Sequence, residues 1–205
     1  VTFVQLREAY REQAAALIAG GADLLLVETC QDTRNVKAAL LGIRDAEGEA
    51  GVRVPVIVSG TIEPAGTMLA GQGADAFWVS IAHAGPLAVG LNCATGPEFM
   101  TDHVRTLHEM AWTRISCYPN AGLPDEEGRY GETPETLAAQ LERFVRNGWL
   151  NLVGGCCGTT PGHVRALAQM VEGKTPRRVP ERPRRTWVCG IDLVEADPST
   201  RPLIV

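Results

Sequence analysis

Five short apolar runs, each followed by a helix-length stretch, govern what this chain can fold into. They end at Glu28, Ser59, Asn92, Tyr118 and Val153, so that successive ends lie 31, 33, 26 and 35 residues apart. That spacing leaves room for one helix and two loops between strands, the rhythm of βα units in a parallel sheet. The runs are apolar throughout rather than alternating, as residues 54–58 show, which suits strands covered on both faces. Between them, Val36, Leu40 and Ile43 recur at helical spacing, as do Met100, Val104, Leu107 and Ala111, and Leu137, Leu141 and Phe144. A first helix presents Leu6, Tyr10, Ala14 and Leu17 and stops at Gly20-Gly21. A last one opens on Thr160 and Pro161 and turns Val164, Leu167 and Val171 inward. A closed (β/α)8 barrel takes about 250 residues, and only five units are present here. Two α/β architectures remain: an open doubly wound sheet, or a partial barrel lacking roughly its first three strands.

In either architecture function gathers where strands end, because the loops there face one crevice. Those ends carry Glu28, Ser59, Thr61, Asn92, Cys93, Asn120, Cys156 and Cys157, whereas the opposite ends carry little beyond Asp23, Arg53 and Arg114. Cys93 follows one strand, and the pair Cys156-Cys157 follows another inside Gly154-Gly155-Cys156-Cys157-Gly158. Adjacent side chains on an extended backbone point apart, so the pair converges only at a sharp bend, for which Gly154, Gly155 and Gly158 would supply the unusual dihedrals. Three sulfurs meeting at strand ends suggest a zinc ion with its fourth position open, the catalytic rather than the structural arrangement. Two other readings of the cysteines stand beside this one: a structural zinc in a binding module, and a redox-active vicinal disulfide at Cys156-Cys157.

The remaining candidates are weaker. Cys30 and Cys117 read as small buried hydrophobes, and Cys189 as incidental. His83, His103, His108 and His163 fall on or beside helices and read as packing or surface residues. Glu28 follows an apolar strand, so its carboxylate is expected to be partly desolvated, either ion-paired or holding a substrate ammonium. Asn92 and Asn120 either orient a substrate or cap the turns that carry the cysteines. The glycine-rich run 154–158 lacks the lysine and spacing of a phosphate loop.

With net charge −5 over 205 residues, and its basic run confined to 177–185 among prolines, the chain carries no nucleic-acid footprint. No apolar stretch approaches the roughly 20 residues needed to span a bilayer, and no signal peptide opens the chain. Six cysteines without an export signal point to free thiols in a reducing, cytoplasmic setting. Beginning at Val1 rather than Met, the chain reads as a fragment. Residues 1–173 form the strand–helix domain. Residues 174–185 read as a linker, and 187–205 as having no complete element, their apolar end 203–205 resembling the start of a strand in a following domain.

Five motifs together carry a resemblance: Val27-Glu28-Thr29, Ser59-Gly60-Thr61, Gly90-Leu91-Asn92-Cys93, Pro119-Asn120-Ala121-Gly122-Leu123-Pro124 and Gly154-Gly155-Cys156-Cys157-Gly158-Thr159-Thr160-Pro161. They resemble the zinc-dependent homocysteine S-methyltransferases, in particular the homocysteine-binding domain of cobalamin-dependent methionine synthase. The resemblance implies a (β/α)8 barrel, entered here at the helix before the fourth strand. It implies Cys93, Cys156 and Cys157 as zinc ligands, homocysteine as substrate, and contacts to it from Glu28, Ser59, Asn92 and Asn120. It also implies methylcobalamin as methyl donor, carried by a cobalamin-binding domain of the same longer chain, with a pterin-binding domain after the linker. Stand-alone relatives that use betaine or S-methylmethionine lack such a link. The loop Asp125-Glu126-Glu127-Gly128 is more charged than is usual in the family, and Val79 stands where a polar residue is common.

Overall fold

The computed structural model describes residues 1–200, so the apolar end 203–205 lies outside the described residues. Five parallel strands lie side by side in chain order: β1 (Leu25–Cys30), β2 (Val56–Gly60), β3 (Ala88–Asn92), β4 (Arg114–Tyr118) and β5 (Leu152–Val153). A doubly wound sheet needs a point where the strand order reverses, and this one has none. The helices α2 (Thr33–Ala50), α3 (Ala74–Ile81), α4 (Pro97–Met110), α5 (Pro134–Arg146) and α6 (Pro161–Val171) follow the strands in turn, with α1 (Phe3–Ala19) ahead of β1. Val58, Val89, Leu91, Ile115, Cys117 and Val153 all pack with helix residues such as Phe77, Val104, Leu141 and Leu167. The alternate positions Ser59, Gly90, Asn92, Ser116, Tyr118 and Gly154 therefore share the other face. Sequential parallel order with helices on one side is the wall of a (β/α)8 barrel, here a five-stranded arc.

Local chemistry explains the elements. Thr2 and Gln5 close a capping box on α1. Asp32 caps α2, whose chain leaves through left-handed Gly51. The seam between α1 and α2 is tight because a Cβ at Gly42 would stand 2.5 Å from the Arg7 carbonyl and 2.7 Å from the Arg11 nitrogen. Arg7 forks onto Asp45 at 2.6 and 2.7 Å beside it, an exposed pair that adds orientation more than stability. The centre is filled by Phe77, Trp78 and Phe144, each fully buried.

Four expectations are corrected. Val164 does not point inward: it is exposed on α6, and the neighbouring His163 is buried instead. His163 accepts from the Thr160 amide through Nδ1 at 3.1 Å, which leaves Nε2 to donate to the Glu132 carbonyl at 2.9 Å. Strand β1 runs two residues past Glu28, to Cys30, and its Leu26 and Glu28 are exposed because β1 is an edge strand. Residues after 185 do form an element, an antiparallel pair of β6 (Thr186–Cys189) and β7 (Leu193–Ala196).

The segment leading to that hairpin is anchored rather than free. Arg177 is buried and donates to the carbonyls of His108 at 2.8 Å, Ala111 at 2.7 Å and Thr113 at 2.8 Å, closing the carboxyl end of α4. Asn151 holds the Arg177 carbonyl at 2.8 Å. Trp187 stacks on Trp112 with centroids 6.0 Å apart, Trp112 meets Trp78 edge-on at 4.8 Å, and Arg182 lies over the Trp112 ring. No helix among the described residues is long and apolar enough to cross a membrane.

Candidate metal centre

Three sulfurs come together at the carboxyl ends of β3 and β5. Cys93, Cys156 and Cys157 place their Sγ atoms within 4.8 Å of one another, with Cys93 to Cys157 at 3.5 Å and Cys156 to Cys157 at 3.9 Å. Tetrahedral bonds of about 2.3 Å to zinc set neighbouring sulfurs about 3.8 Å apart, so this trio already has the dimensions of three corners of such a site. A disulfide needs about 2.05 Å, and all six cysteines are free thiols. The donor set is soft and fits zinc. No fourth histidine, cysteine or carboxylate joins the group among the described residues.

The backbone aims these sulfurs at some conformational cost. Cys93 and Ala94 adopt left-handed dihedrals, φ 61° and 53°, directly after β3, and so does Thr29 at the end of β1, φ 56°. Non-glycine residues are held in that region only where their surroundings over-determine them. Here the Cys93 amide donates to the Tyr118 carbonyl at 3.1 Å and Thr95 returns to the Cys93 carbonyl at 2.6 Å. The Cys156-Cys157 pair converges because residues 156–159 make a turn, closed by the Thr159 amide and hydroxyl on the Cys156 carbonyl at 3.2 and 2.7 Å.

The glycines beside the pair act differently from the sequence-based expectation. Among them only Gly158 has a positive φ, 78°. Gly154 and Gly155 are required by close approach: a Cβ at Gly154 would stand 2.6 Å from the Tyr118 ring, and one at Gly155 would stand 2.8 Å from the Thr159 Cβ. Gly158 combines both reasons, since a side chain there would overlap the root of the Tyr130 ring.

The polar residues form two supporting networks. Asn92, fully buried, accepts from the Thr29 amide at 3.0 Å and the Ser59 hydroxyl at 2.7 Å, and donates to the Thr29 hydroxyl at 2.8 Å. It thus ties together the ends of β1, β2 and β3, and its amide nitrogen lies 3.9 Å from the Cys156 sulfur. Asn120 accepts from the Cys157 amide at 3.1 Å, and the Ala121 amide donates to the Cys157 carbonyl at 2.9 Å. Glu28 is exposed rather than partly desolvated, and it has no hydrogen-bond or ion-pair partner among the described residues.

Protonation is shared unequally. Burial, helped by hydrogen bonds to Cys156 and Cys157, pushes the Cys93 thiol up to about 12. Cys157 is held below its usual range, foremost by a hydrogen bond from Cys93, then by Cys156 and Tyr130, with burial opposing them. Cys117 and Cys30, each also pushed up to about 12 by burial, are inert by comparison. Burial, and then the charge of the Cys157 sulfur, raise the pKa of the Tyr130 phenol. Tyr130, packed on Gly158, was passed over in the sequence reading, whereas Thr29 entered it only within a motif and His163 only as a packing or surface residue. Only the glycine at 158 hinted at Tyr130, because the intervening loop is polar and aperiodic.

Comparison with known proteins agrees with this geometry. The family model for homocysteine S-methyltransferase matches residues 1–171. The homocysteine methyltransferase MmuM from Escherichia coli in its apo form superposes with a TM-score of 0.64 at 23% identity, covering 83% of this chain and 58% of that one. Its metallated form gives 0.60 at 24% identity, covering 80% and 51%. The chain thus spans little more than half the length of these structures, and at such identities the likeness is one of fold. Since the family match takes in all five strands of the arc and all three converging cysteines, the chain belongs to the homocysteine S-methyltransferase family.

Proposed function

We propose that the chain activates the thiol of homocysteine for methylation to methionine, with Cys93, Cys156 and Cys157 holding a zinc ion. The observation that carries this reading is the convergence of three soft donors, without a fourth among the described residues, at the mouth of a barrel wall. Zinc in such a site supplies Lewis acidity, which lets a substrate thiol with reference pKa about 8.5 ionise near neutral pH while its sulfur stays electron-rich. The chain's own residues keep that position ready. Asn120 fixes the Cys157 turn, and Asn92 and Ser59 lock the strand ends beneath the sulfurs; in this reading the three also contact the substrate. The Glu28 carboxylate, exposed on β1 and unpaired among the described residues, binds the substrate's α-ammonium.

The methyl donor in this proposal is methylcobalamin, presented by another domain of a longer cytoplasmic chain, a cobalamin-dependent methionine synthase. Supporting it, the chain continues past residue 171, where the family match ends, into a basic proline-rich segment and a hairpin, the place where a pterin-binding domain would begin.

Two results are expected of the complete domain. X-ray absorption at the zinc edge should change from three sulfur neighbours to four when homocysteine is added, with release of about one proton near pH 7. An unchanged sulfur count with no proton release means a closed, structural site and sinks the proposal. Glu28→Gln should weaken homocysteine binding by roughly tenfold to a hundredfold, since a charge-assisted contact contributes about 1.5–3 kcal/mol, and leave zinc content unchanged. Calorimetric titration with unaltered affinity would remove Glu28 from the substrate site.

A further inference from the structure

The end of β1 is irregular, and the irregularity falls beside Glu28. Val27 pairs with Val58 and Cys30 with Gly60, so Glu28 and Thr29 together stand against the single residue Ser59. This is a bulge with one extra residue on β1, a device that re-aims side chains and is rare between parallel strands. Val27 packs with the helices, so its neighbour Glu28 belongs to the inner face, with Ser59 and Asn92. Past the bulge the alternation has slipped by one, and Cys30 returns to the helix side.

Thr29 is the residue that makes the slip. Its φ of 56° is left-handed, a genuine outlier for a β-branched residue. Such a conformation persists only where neighbours over-determine it, and here the neighbour is one carboxamide. Asn92 Oδ1 accepts from the Thr29 amide at 3.0 Å, and Asn92 Nδ2 donates to the Thr29 hydroxyl at 2.8 Å. The Ser59 hydroxyl donates to the same Oδ1 at 2.7 Å, and the Thr61 hydroxyl donates to the Asn92 carbonyl at 3.1 Å. Asn92 directly precedes Cys93, and its amide nitrogen is 3.9 Å from the Cys156 sulfur. One buried side chain therefore ties the sulfur cluster to the residue next to Glu28. A substrate held by both its sulfur and its ammonium must span the distance that this tie sets.

We propose that Thr29 is a positioning residue: clamped by Asn92, it holds the bulge that aims Glu28 and so fixes the ammonium-to-sulfur span that the site accepts. The inference rests on the reading above, in which zinc takes the substrate sulfur and Glu28 its ammonium. The hydroxyl is the part of Thr29 that matters, because any residue except proline supplies the amide half of the clamp.

The test titrates the zinc-loaded full-length protein by calorimetry with homocysteine and with 4-mercaptobutanoate, the same molecule without its amino group. Wild type should prefer homocysteine. Thr29→Ala should bind homocysteine roughly tenfold more weakly, the contribution of one hydrogen bond, and bind 4-mercaptobutanoate as wild type does. Thr29→Gly, which adopts the left-handed backbone without strain, should behave likewise and decides the matter if the alanine variant does not fold. Thr29→Ser should restore wild-type affinity, and zinc content should be the same in every sample. Unaltered homocysteine affinity in the variants without a hydroxyl overturns the proposal. So does an equal loss for both ligands, which marks a merely structural role, and so does a serine variant as weak as alanine. A wild type that binds both ligands equally, or takes up no zinc, overturns the underlying reading and the proposal with it.

Discussion

Cys93→Ser in the complete domain is expected to lose most of its zinc, with an affinity drop of more than about 100-fold, beyond what removal of an outer-shell partner costs. Serine keeps the shape of the turn but offers an oxygen that stays protonated and is a poor soft donor. Two thiolates from the Cys156-Cys157 turn then remain, both on a single loop. Metal content after dialysis at fixed free zinc checks it. Cys117→Ser is the matched control, because Cys117 lies on the helix-facing side of β4, 3.7 Å from the Met100 sulfur. Stoichiometric zinc in a Cys93→Ser, Cys156→Ser double variant would rule out the three-sulfur site.

Gly90→Ala should be the most damaging single methyl addition in the chain. Gly90 pairs in register with Ser116 between β3 and β4, and an added Cβ would fall on both the hydroxyl and the carbonyl of Ser116. The hydroxyl is buried without a hydrogen-bond partner among the described residues, so it can rotate, but the carbonyl cannot yield without parting the strands. Overpacking of this kind costs about 1–3 kcal/mol and sometimes more, which for a chain of this size is a fall in Tm of roughly 2–12 °C. Because Cys93 follows three residues later and is held by the Tyr118 carbonyl of β4, zinc affinity should fall as well. Thermal unfolding with and without zinc measures both effects, and an unchanged Tm would show that the strand pair absorbs the methyl freely.

Much of this was legible in the sequence, and the reasons are physical. Strands covered on one face by helices and on the other by the barrel interior read as continuous apolar runs, so β2, β3 and β4 were found within a few residues. Polar groups gather at the ends of such strands, which exposed Cys93, Asn92, Asn120 and Cys156-Cys157 as one set. What escaped depends on neighbours that periodicity does not encode. Val164 has helical spacing with Leu167, yet α6 packs through His163 and Leu167 and leaves Val164 in solvent. Glu28 follows an apolar run but lies on an edge strand, where nothing covers its side chain. The β6–β7 hairpin was hidden because its support is tertiary: the Trp112–Trp187 stack and the Ser80 hydroxyl 3.2 Å from the Cys189 sulfur. Gly154 and Gly155 drew notice for backbone freedom, while their real constraint is the volume of Tyr118 and Thr159.

The brevity of β5 would give the proposed metal a second role. Only Leu152 and Val153 make up this strand, and in the five-stranded arc described here it has a strand neighbour on one side only, the kind of element that frays first in native-state exchange. Yet the turn that follows it carries two of the three sulfurs. Each opening of that edge would dismantle two thirds of the coordination shell, so apparent zinc affinity is discounted by the fraction of time β5 spends docked. Linkage runs both ways: metal in excess of its dissociation constant biases the ensemble toward the docked edge. The ion would then act as a clasp on the least secure strand of the arc, and loss of metal and local melting would be a single event.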